Sequence, residues 1–506
     1  MRFFKLNLFK RYDLFIVFVI CLLGLLLRLQ GLSGKEFWYD EAYTGILTNL
    51  SASEYSDLVK YDVHPPLYTN LLRFWVYIFG NNDLNIRLFS VFAGILLIPT
   101  SYLLIKSLQI AKKHPLLKFV IPLVFAVNPF FVEYSKEARS YSLTALIFSL
   151  LFLSYYLSSK YDKFHFKWIV TTVMMAATFL THYFSFLGIA CLFLFDLIYT
   201  NYKNISVKKY LLQKTKLYIS LGVLFLGLIG AFIPNLLVQY KNAPVLWWIP
   251  ISDPQRLMTS LYIFLFGAKT NSLGIPPALQ LPQFSPETVG FMAVTFLIGG
   301  FSYWLAKLKN REKKDLILLS FASILPIIMA LVLQIFNQRV FLERYLTPYA
   351  VFIVILFFIL ISKLKKFFKY LVVGSYVLAS LFLINNVSYE PQGFLKLSQE
   401  LEKIQTKNTQ VIFTDAISYT IAKYYLAKNP NLTVRLYNPE ENFDDWEIVS
   451  KKDVMLNYAE LKDKQRVFIY TDNRKPDIWF RQQASIGNLY VYSTLPIFNS
   501  SIASKN

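Results

Sequence analysis

Cysteine is nearly absent, with two in 506 residues. Cys21 and Cys191 both lie inside apolar runs without metal-ligand spacing. Neither a disulfide framework nor a zinc site can be argued, and the redox compartment stays open. Residues 388–506 lack a glycine-rich phosphate loop, which argues against nucleotide binding there. No internal repeat is apparent, which weakens the case for an inverted-repeat transporter. The first apolar run, Leu14 to Leu32, follows "KRYD" and lacks a small-residue cleavage site. It reads as a retained signal anchor rather than a removed signal peptide. Carboxylates are scarce too, 31 against 52 lysines and arginines, giving a net charge of +21.

Apolar residues are abundant. The chain is 55% hydrophobic and 17% aromatic, with recurring mostly apolar runs of 18 to 23 residues, so it is expected to be a polytopic α-helical membrane protein. The basic residues sit in short clusters between these runs, so the charge reports topology and not a nucleic-acid partner. Hydropathy predicts about eleven spans, centred in 14–32, 85–105, 116–132, 141–158, 168–181, 184–200, 217–238, 289–306, 316–336, 346–362 and 370–387. Basic clusters fall at Arg2 to Arg11, Lys112 and Lys113, Lys160 to Lys167, Lys203 to Lys216, 307–314 and 363–369. These are every second inter-span segment, which makes them cytoplasmic, with the N-terminus. The external set is then 33–83, 129–140, 239–288, 337–345 and everything after about Val387. Only Thr181, His182 and Tyr183 separate two of the spans. Were these one broken span, the C-terminal segment would change sides; the clean alternation of basic loops argues for two. The membrane is the inner or plasma membrane of the cell.

After Val387 the composition changes. "QVIFTD", "LTVRLY", "RVFIYT" and "LYVYST" are short β-rich runs, while "FLKLSQELEKIQTK" and "AISYTIAKYYLAK" have helical spacing. The reading is a transmembrane domain over 1–387 and a small external α/β domain over 388–506.

The external loop 33–83 is too long for a mere connection. It holds the amphipathic stretches "DEAYTGILTNL" and "PLYTNLLRFWVYIFG", whose aromatic faces are expected in the membrane interface. Asp40 and Glu41 open the first of these helices, where the dipole favours negative charge. In "HPPLY" the paired prolines fix an extended approach and then start a helix, directing His64 toward the space above the membrane. Arg87 heads the second span. Glu133, Glu137 and Arg139 occupy the second external loop, and Glu343, Arg344 and Tyr345 stand at an external helix start. An interfacial arginine by itself is a snorkelling anchor. Arginines and carboxylates that return to one membrane face from distant parts of the chain make a polar site. Trp247 and Trp248, beside prolines, read as part of an interface belt and not as a sugar-stacking platform.

Taken in order, "YDEAYTG", "HPPLYTNLLRFW", "IRLFSVFAGIL", "EARSYSL" and "RYLTPY" resemble the bacterial branch of glycosyltransferase family 39. Its relatives are the protein O-mannosyltransferases and, more distantly, the lipid A aminoarabinose transferase, all of the GT-C fold. The resemblance is best from about residue 30 to 150, patchy to 360 and absent from the C-terminal domain. It implies a multispan enzyme that uses a polyprenyl-phosphate-linked sugar, with Asp40 as catalytic base and Glu41 following it. His64 stands where the aminoarabinose transferase has a lysine before its paired prolines.

The chemistry of the residues agrees. An external transferase has no nucleotide sugar to draw on, so it needs a donor already carried across the membrane. An acceptor hydroxyl has a pKa far above 7, so a carboxylate such as Asp40 must take its proton as the C–O bond forms. Such a single displacement inverts the anomeric carbon. The leaving lipid phosphate gains charge that Arg139, Arg344 or His64 could stabilise. A divalent metal could supply part of that role, and the sequence does not decide the matter. The partners are the lipid-linked donor, membrane lipid and an acceptor that is a protein, a lipid or a glycan. A transporter or flippase is the alternative, and it predicts ionisable residues or broken helices at mid-bilayer; a receptor using the C-terminal domain is a third.

Overall fold

The computed structural model describes residues 11–60, 62–159, 165–202, 206–242, 254–267, 310–335, 341–385, 393–404, 409–437, 453–455, 466–470, 481–486 and 489–493, with isolated positions between 292 and 300. The chain opens with α1 (Arg11–Leu29), followed by α2 (Tyr39–Asn49), α3 (Ala52–Val59), α4 (Leu67–Phe79) and the long α5 (Asp83–Ser107). Next come α6 (Leu117–Val127), α7 (Pro129–Ser135), α8 (Tyr141–Ser158), α9 (Phe166–Thr181), α10 (Ser185–Tyr202), α11 (Val207–Ile229), α12 (Ile233–Asn242) and α13 (Pro254–Phe266). Further helices are Asn310–Phe321, Ile324–Ile335, Thr347–Ile361 and Lys366–Asn385.

The expected count of eleven spans is corrected. Among the described residues, six helices are long and apolar enough to cross a membrane: Arg11–Leu29, Asp83–Ser107, Tyr141–Ser158, Lys214–Tyr240, Glu312–Gln334 and Lys366–Asn385. A seventh is added if α6 and α7, bent by 54° at their junction, count as one span. The segments expected at 168–181, 184–200 and 346–362 are apolar but form shorter helices. The 15-residue helix Thr347–Ile361 rises only about 22 Å, and nearly all its residues are covered by protein. Hydropathy reads composition and cannot tell such a core helix from a span. The expected span at 289–306 lies largely outside the described residues, as do Trp247 and Trp248.

The bend between α6 and α7 has a chemical cause. Pro129 has no N–H to give the carbonyl of Phe125 four residues earlier. Arg28, fully buried in the last turn of α1, donates to the carbonyls of Phe125 and Ala126 (both 3.1 Å), to Gly24 O (3.0 Å) and to Ser135 Oγ (3.1 Å). Asn128 caps α7 by accepting from Phe131 N (3.1 Å), and its amide donates to Phe264 O and to the Tyr376 hydroxyl. The bend delivers the 136–140 turn to the end of the helices where α2 lies.

As the sequence leads one to expect, both amphipathic stretches of the first loop are helices. On α4, Phe74, Tyr77, Ile78 and Phe79 are more than half exposed. The four β-rich runs after Val387 supply β1, β2, β4 and β6 of one six-stranded mixed sheet in the order β3-β2-β1-β4-β6-β5. These strands are β1 (Thr409–Phe413), β2 (Leu432–Tyr437), β3 (Val454–Met455), β4 (Arg466–Tyr470), β5 (Arg481–Ile486) and β6 (Leu489–Ser493). β1 to β4 pair in parallel, and β6 runs antiparallel to β4 and β5. With the helices Phe394–Ile404 and Ala416–Leu426, the sheet shares a hydrophobic core with the first loop: Phe37, Ala42 and Leu72 pack in one cluster with Leu397, Val411 and Tyr424. Polar ties reinforce it. Glu36 accepts from the N–H groups of Gly393 and Leu395 (2.9 Å each), and Asp83 accepts from the hydroxyls of Tyr424 (2.7 Å) and Tyr425 (3.0 Å). Gly45 in α2 makes this approach feasible, since a Cβ there would lie 2.5 Å from the Tyr424 ring.

Candidate active site

The first turn of α2 carries two carboxylates with opposite fates. Successive helix residues point about 100° apart, so Asp40 and Glu41 cannot face the same neighbours. Glu41 points inward and is fully buried. Its Oε1 accepts from Arg87 Nε (2.8 Å) and from the Ala138 N–H (2.9 Å), and its Oε2 accepts from Arg87 Nη2 (2.7 Å). Arg87 gives its remaining reach to the carbonyls of Lys35 (2.6 Å) and Glu36 (2.9 Å) and lies over the Phe37 ring. This pair clamps the start of α2, the head of α5 and the 136–140 turn together.

Asp40 points away from that pair and keeps 18% of its side chain exposed. Two guanidinium groups converge on its Oδ2, Arg344 Nη1 at 3.7 Å and Arg139 Nε at 4.0 Å. Both distances exceed hydrogen-bond length. Arg139 Nη1 instead donates to Thr44 Oγ1 (3.2 Å) and to the Asp40 carbonyl (3.3 Å). Its backbone is set by Ser90, whose hydroxyl donates to Arg139 O (3.2 Å) and meets the Tyr68 hydroxyl at 3.0 Å. Arg344 lies between the rings of Trp38 and Tyr345, its Cζ 5.4 and 5.7 Å from their centres. Burial works against both arginine charges, but Asp40 and Tyr141 outweigh it and hold both pKa values above the usual one.

His64 completes the support of Arg139. Its Nε2 lies 3.1 Å from Arg139 Nη2, its Nδ1 lies 3.2 Å from Asp62 Oδ1, and its backbone N–H donates to the same oxygen (2.9 Å). A guanidinium only donates, so Nε2 accepts and Nδ1 carries the proton toward Asp62. Burial pushes the Asp62 carboxyl up, but the hydrogen bonds from His64 and the charge of Arg139 hold it below the usual carboxylate range.

Of the residues singled out in the sequence, the fold therefore gathers Asp40, His64, Arg139, Arg344 and Tyr345 at one cleft. Glu41 and Arg87 stand behind it as a paired strut. Glu137 is buried in the turn, its carbonyl accepting from the Arg139 N–H (2.8 Å). Glu133 lies against Gly267 at the end of α13, where a Cβ would come within 3.0 Å of its Oε1. Glu343 accepts from Ser260 of the same helix (3.0 Å). Asp62, Tyr141 and His182 were not singled out. Asp62 had a local signal, lying two residues before His64; His182 had only its place in a very short link. Among the described residues, no three His, Cys, Asp or Glu side chains are grouped to hold a metal ion.

No protein-family model matches the chain, and no curated protein does. Solved structures do. The chain is similar to ArnT from Cupriavidus metallidurans bound to undecaprenyl phosphate, with a TM-score of 0.66 at 13% identity over 98% of this chain and 99% of that one. The apo form of the same protein gives a TM-score of 0.65. It is also similar to the archaeal oligosaccharyltransferase AglB from Archaeoglobus fulgidus in complex with an inhibitory peptide and a dolichol-phosphate, at a TM-score of 0.52 and 12% identity, over 82% of this chain and 64% of that one. At these identities the likeness is one of fold: the chain is a polytopic helical membrane protein of the architecture shared by ArnT and AglB.

Proposed function

We propose that this protein is a membrane glycosyltransferase that moves a sugar from a polyprenyl-phosphate donor to an acceptor hydroxyl, with inversion and with Asp40 as general base. The observation that carries the reading is one partly exposed carboxylate flanked by two guanidiniums at 4.0 and 3.7 Å, beyond hydrogen-bond length. Its fold is that of a protein crystallised with undecaprenyl phosphate.

In the resting site Arg139 and Arg344 neutralise Asp40 at a distance. A lipid phosphate presents several oxygens to two planar donors and competes for them. As the donor enters, the arginines turn to the phosphate and Asp40 is left facing the acceptor. Asp40 takes the hydroxyl proton while the acceptor oxygen bonds to the anomeric carbon. The bond from that carbon to the phosphate oxygen breaks, and the polyprenyl phosphate leaves with its electron pair. Both arginines meet the growing charge. The Asp62–His64 pair orients Arg139, and the Glu41–Arg87 pair orients α2. The positive clusters on the opposite loops support a site and a 388–506 domain outside the cytoplasm. The transport alternative loses ground to Arg28, the buried arginine of α1, whose donors are occupied by the α6–α7 bend.

The test is turnover. Purified protein in lipid nanodiscs is given a panel of labelled undecaprenyl-phosphate hexoses and pentoses together with membrane extract as acceptor source. Release of undecaprenyl phosphate matched by label in a product supports the reading, and donor bound but never cleaved across the panel would sink it.

A further inference from the structure

His182 lies in the link between α9 and α10, only 4% exposed, and neither of its ring nitrogens has a hydrogen-bond partner. The contrast with His64 is direct, since both nitrogens of that ring are engaged. The His182 ring faces the same cleft. Its centre is 6.2 Å from that of His64 and 5.1 Å from that of Tyr345, and Tyr345 in turn stacks on Phe184 at 5.6 Å. Buried polar groups are satisfied in the great majority of cases, and one left unmade is costly, so an imidazole with both nitrogens idle points to an absent ligand.

The chemistry narrows that ligand. Burial, together with the charges of Arg139 and Arg344, holds the His182 pKa down to about 3, so the ring is neutral. A neutral imidazole offers one donor and one acceptor. A phosphate oxygen, which only accepts, would leave the acceptor nitrogen idle, and the two arginines already supply positive charge for it. A hydroxyl both donates and accepts.

We infer that His182 is a hydroxyl-binding residue, reading a hydroxyl of the transferred sugar or of the acceptor beside the Arg139–Arg344 phosphate site. This rests on the transferase reading above and extends it from the phosphate to the group that the phosphate carries. Tyr345 and Phe184 provide the flat apolar wall against which such a polyhydroxy group would lie.

The experiment compares wild type with His182→Phe, which keeps an aromatic ring against Tyr345, and His182→Gln, which restores one donor and one acceptor. Probes are undecaprenyl phosphate and whichever undecaprenyl-phosphate sugar of the panel the wild type turns over. For His182→Phe the expected result is a kcat/KM lower by about 10- to 100-fold, partly recovered in His182→Gln, with undecaprenyl phosphate affinity within about twofold of wild type. Weakened binding of the lipid-linked sugar without acceptor assigns the contact to the sugar; a raised acceptor KM alone assigns it to the acceptor. Equal losses of affinity for the lipid-linked sugar and for undecaprenyl phosphate would make His182 a phosphate ligand and overturn the inference. Wild-type kinetics of His182→Phe would overturn it too. A wild type that cleaves no donor of the panel defeats the transferase reading, and this inference with it.

Discussion

Two pairs of arginines, Arg28 with Arg87 and Arg139 with Arg344, are built in opposite ways. Arg28 and Arg87 are fully covered and spend their donors on protein acceptors at 2.6 to 3.1 Å. Arg139 and Arg344 stand 4.0 and 3.7 Å from the one carboxylate they share. The first arrangement joins helices, repairing the α6–α7 bend and fixing the start of α2. The second sets two guanidiniums beside a partly exposed carboxylate without hydrogen-bonding it. What distinguishes a strut from a site here is whether the partner carboxylate is covered and held at hydrogen-bond length, as Glu41 is, or partly exposed and held beyond it, as Asp40 is.

The comparison can be broken at the strut. Arg87→Ala should leave Glu41 buried and uncompensated, at a cost of about 3–5 kcal/mol, read as a large drop in the thermal midpoint of detergent-solubilised protein. Glu41→Gln keeps the shape but turns an amide NH2 donor toward a donor of Arg87 or Ala138 and leaves the guanidinium buried without its counter-charge, so a clear drop is expected there too. A midpoint unchanged in Arg87→Ala would mean that the pair bears no structural load.

At the cleft the prediction reverses. Arg139→Lys and Arg344→Lys should leave the thermal midpoint near that of wild type and lower kcat and kcat/KM together by about 10- to 100-fold, because lysine offers a point charge where a planar fork is needed. An arginine that merely anchors the chain at the interface would tolerate lysine, which snorkels equally well. Wild-type kinetics in both variants would remove the phosphate site.

Smaller effects come from the supports. Gly45→Ala should force Tyr424 aside, at about 1–3 kcal/mol for overpacking, and a loss of activity in step with stability would show that the C-terminal elements hold α2 in place. Asp62 contributes through its depressed pKa. Its contribution is fully present above the unfolded value of about 3.9 and fades as pH falls through the lower folded value. Asp62→Asn should therefore cost stability in full above about pH 4 and progressively less as pH falls below it, measured by denaturation across that range.

The sequence made the class, the helices of the first loop, four of the six strands after Val387 and most residues around Asp40 legible, because apolar runs, alternation and clustered motifs are local. Residue type and spacing alone could not separate Asp40 from Glu41; only the family resemblance pointed to Asp40 as the base. They are neighbours in the chain, and only the turn of α2 sends one to Arg87 and the other to the cleft. Arg87 was expected at the substrate for the same reason: an arginine at the head of a span looks alike whether or not its donors are taken. His182 was invisible as a site residue because an isolated histidine in a short link carries no pattern. The span count failed where short apolar helices, such as Thr347–Ile361, are wrapped in protein.

The account turns on Asp40 competing with a lipid phosphate for the same two arginines while serving as the base. Asp40→Asn tests both halves in one variant, with turnover of the lipid-linked donor and equilibrium binding of undecaprenyl phosphate measured side by side. Turnover should fall by about 100-fold or more, while undecaprenyl phosphate binds at least as tightly as to wild type, its rival for the arginines having lost its charge. Turnover within about threefold of wild type, which no general base could survive losing, or a loss of lipid-phosphate binding, would contradict the account.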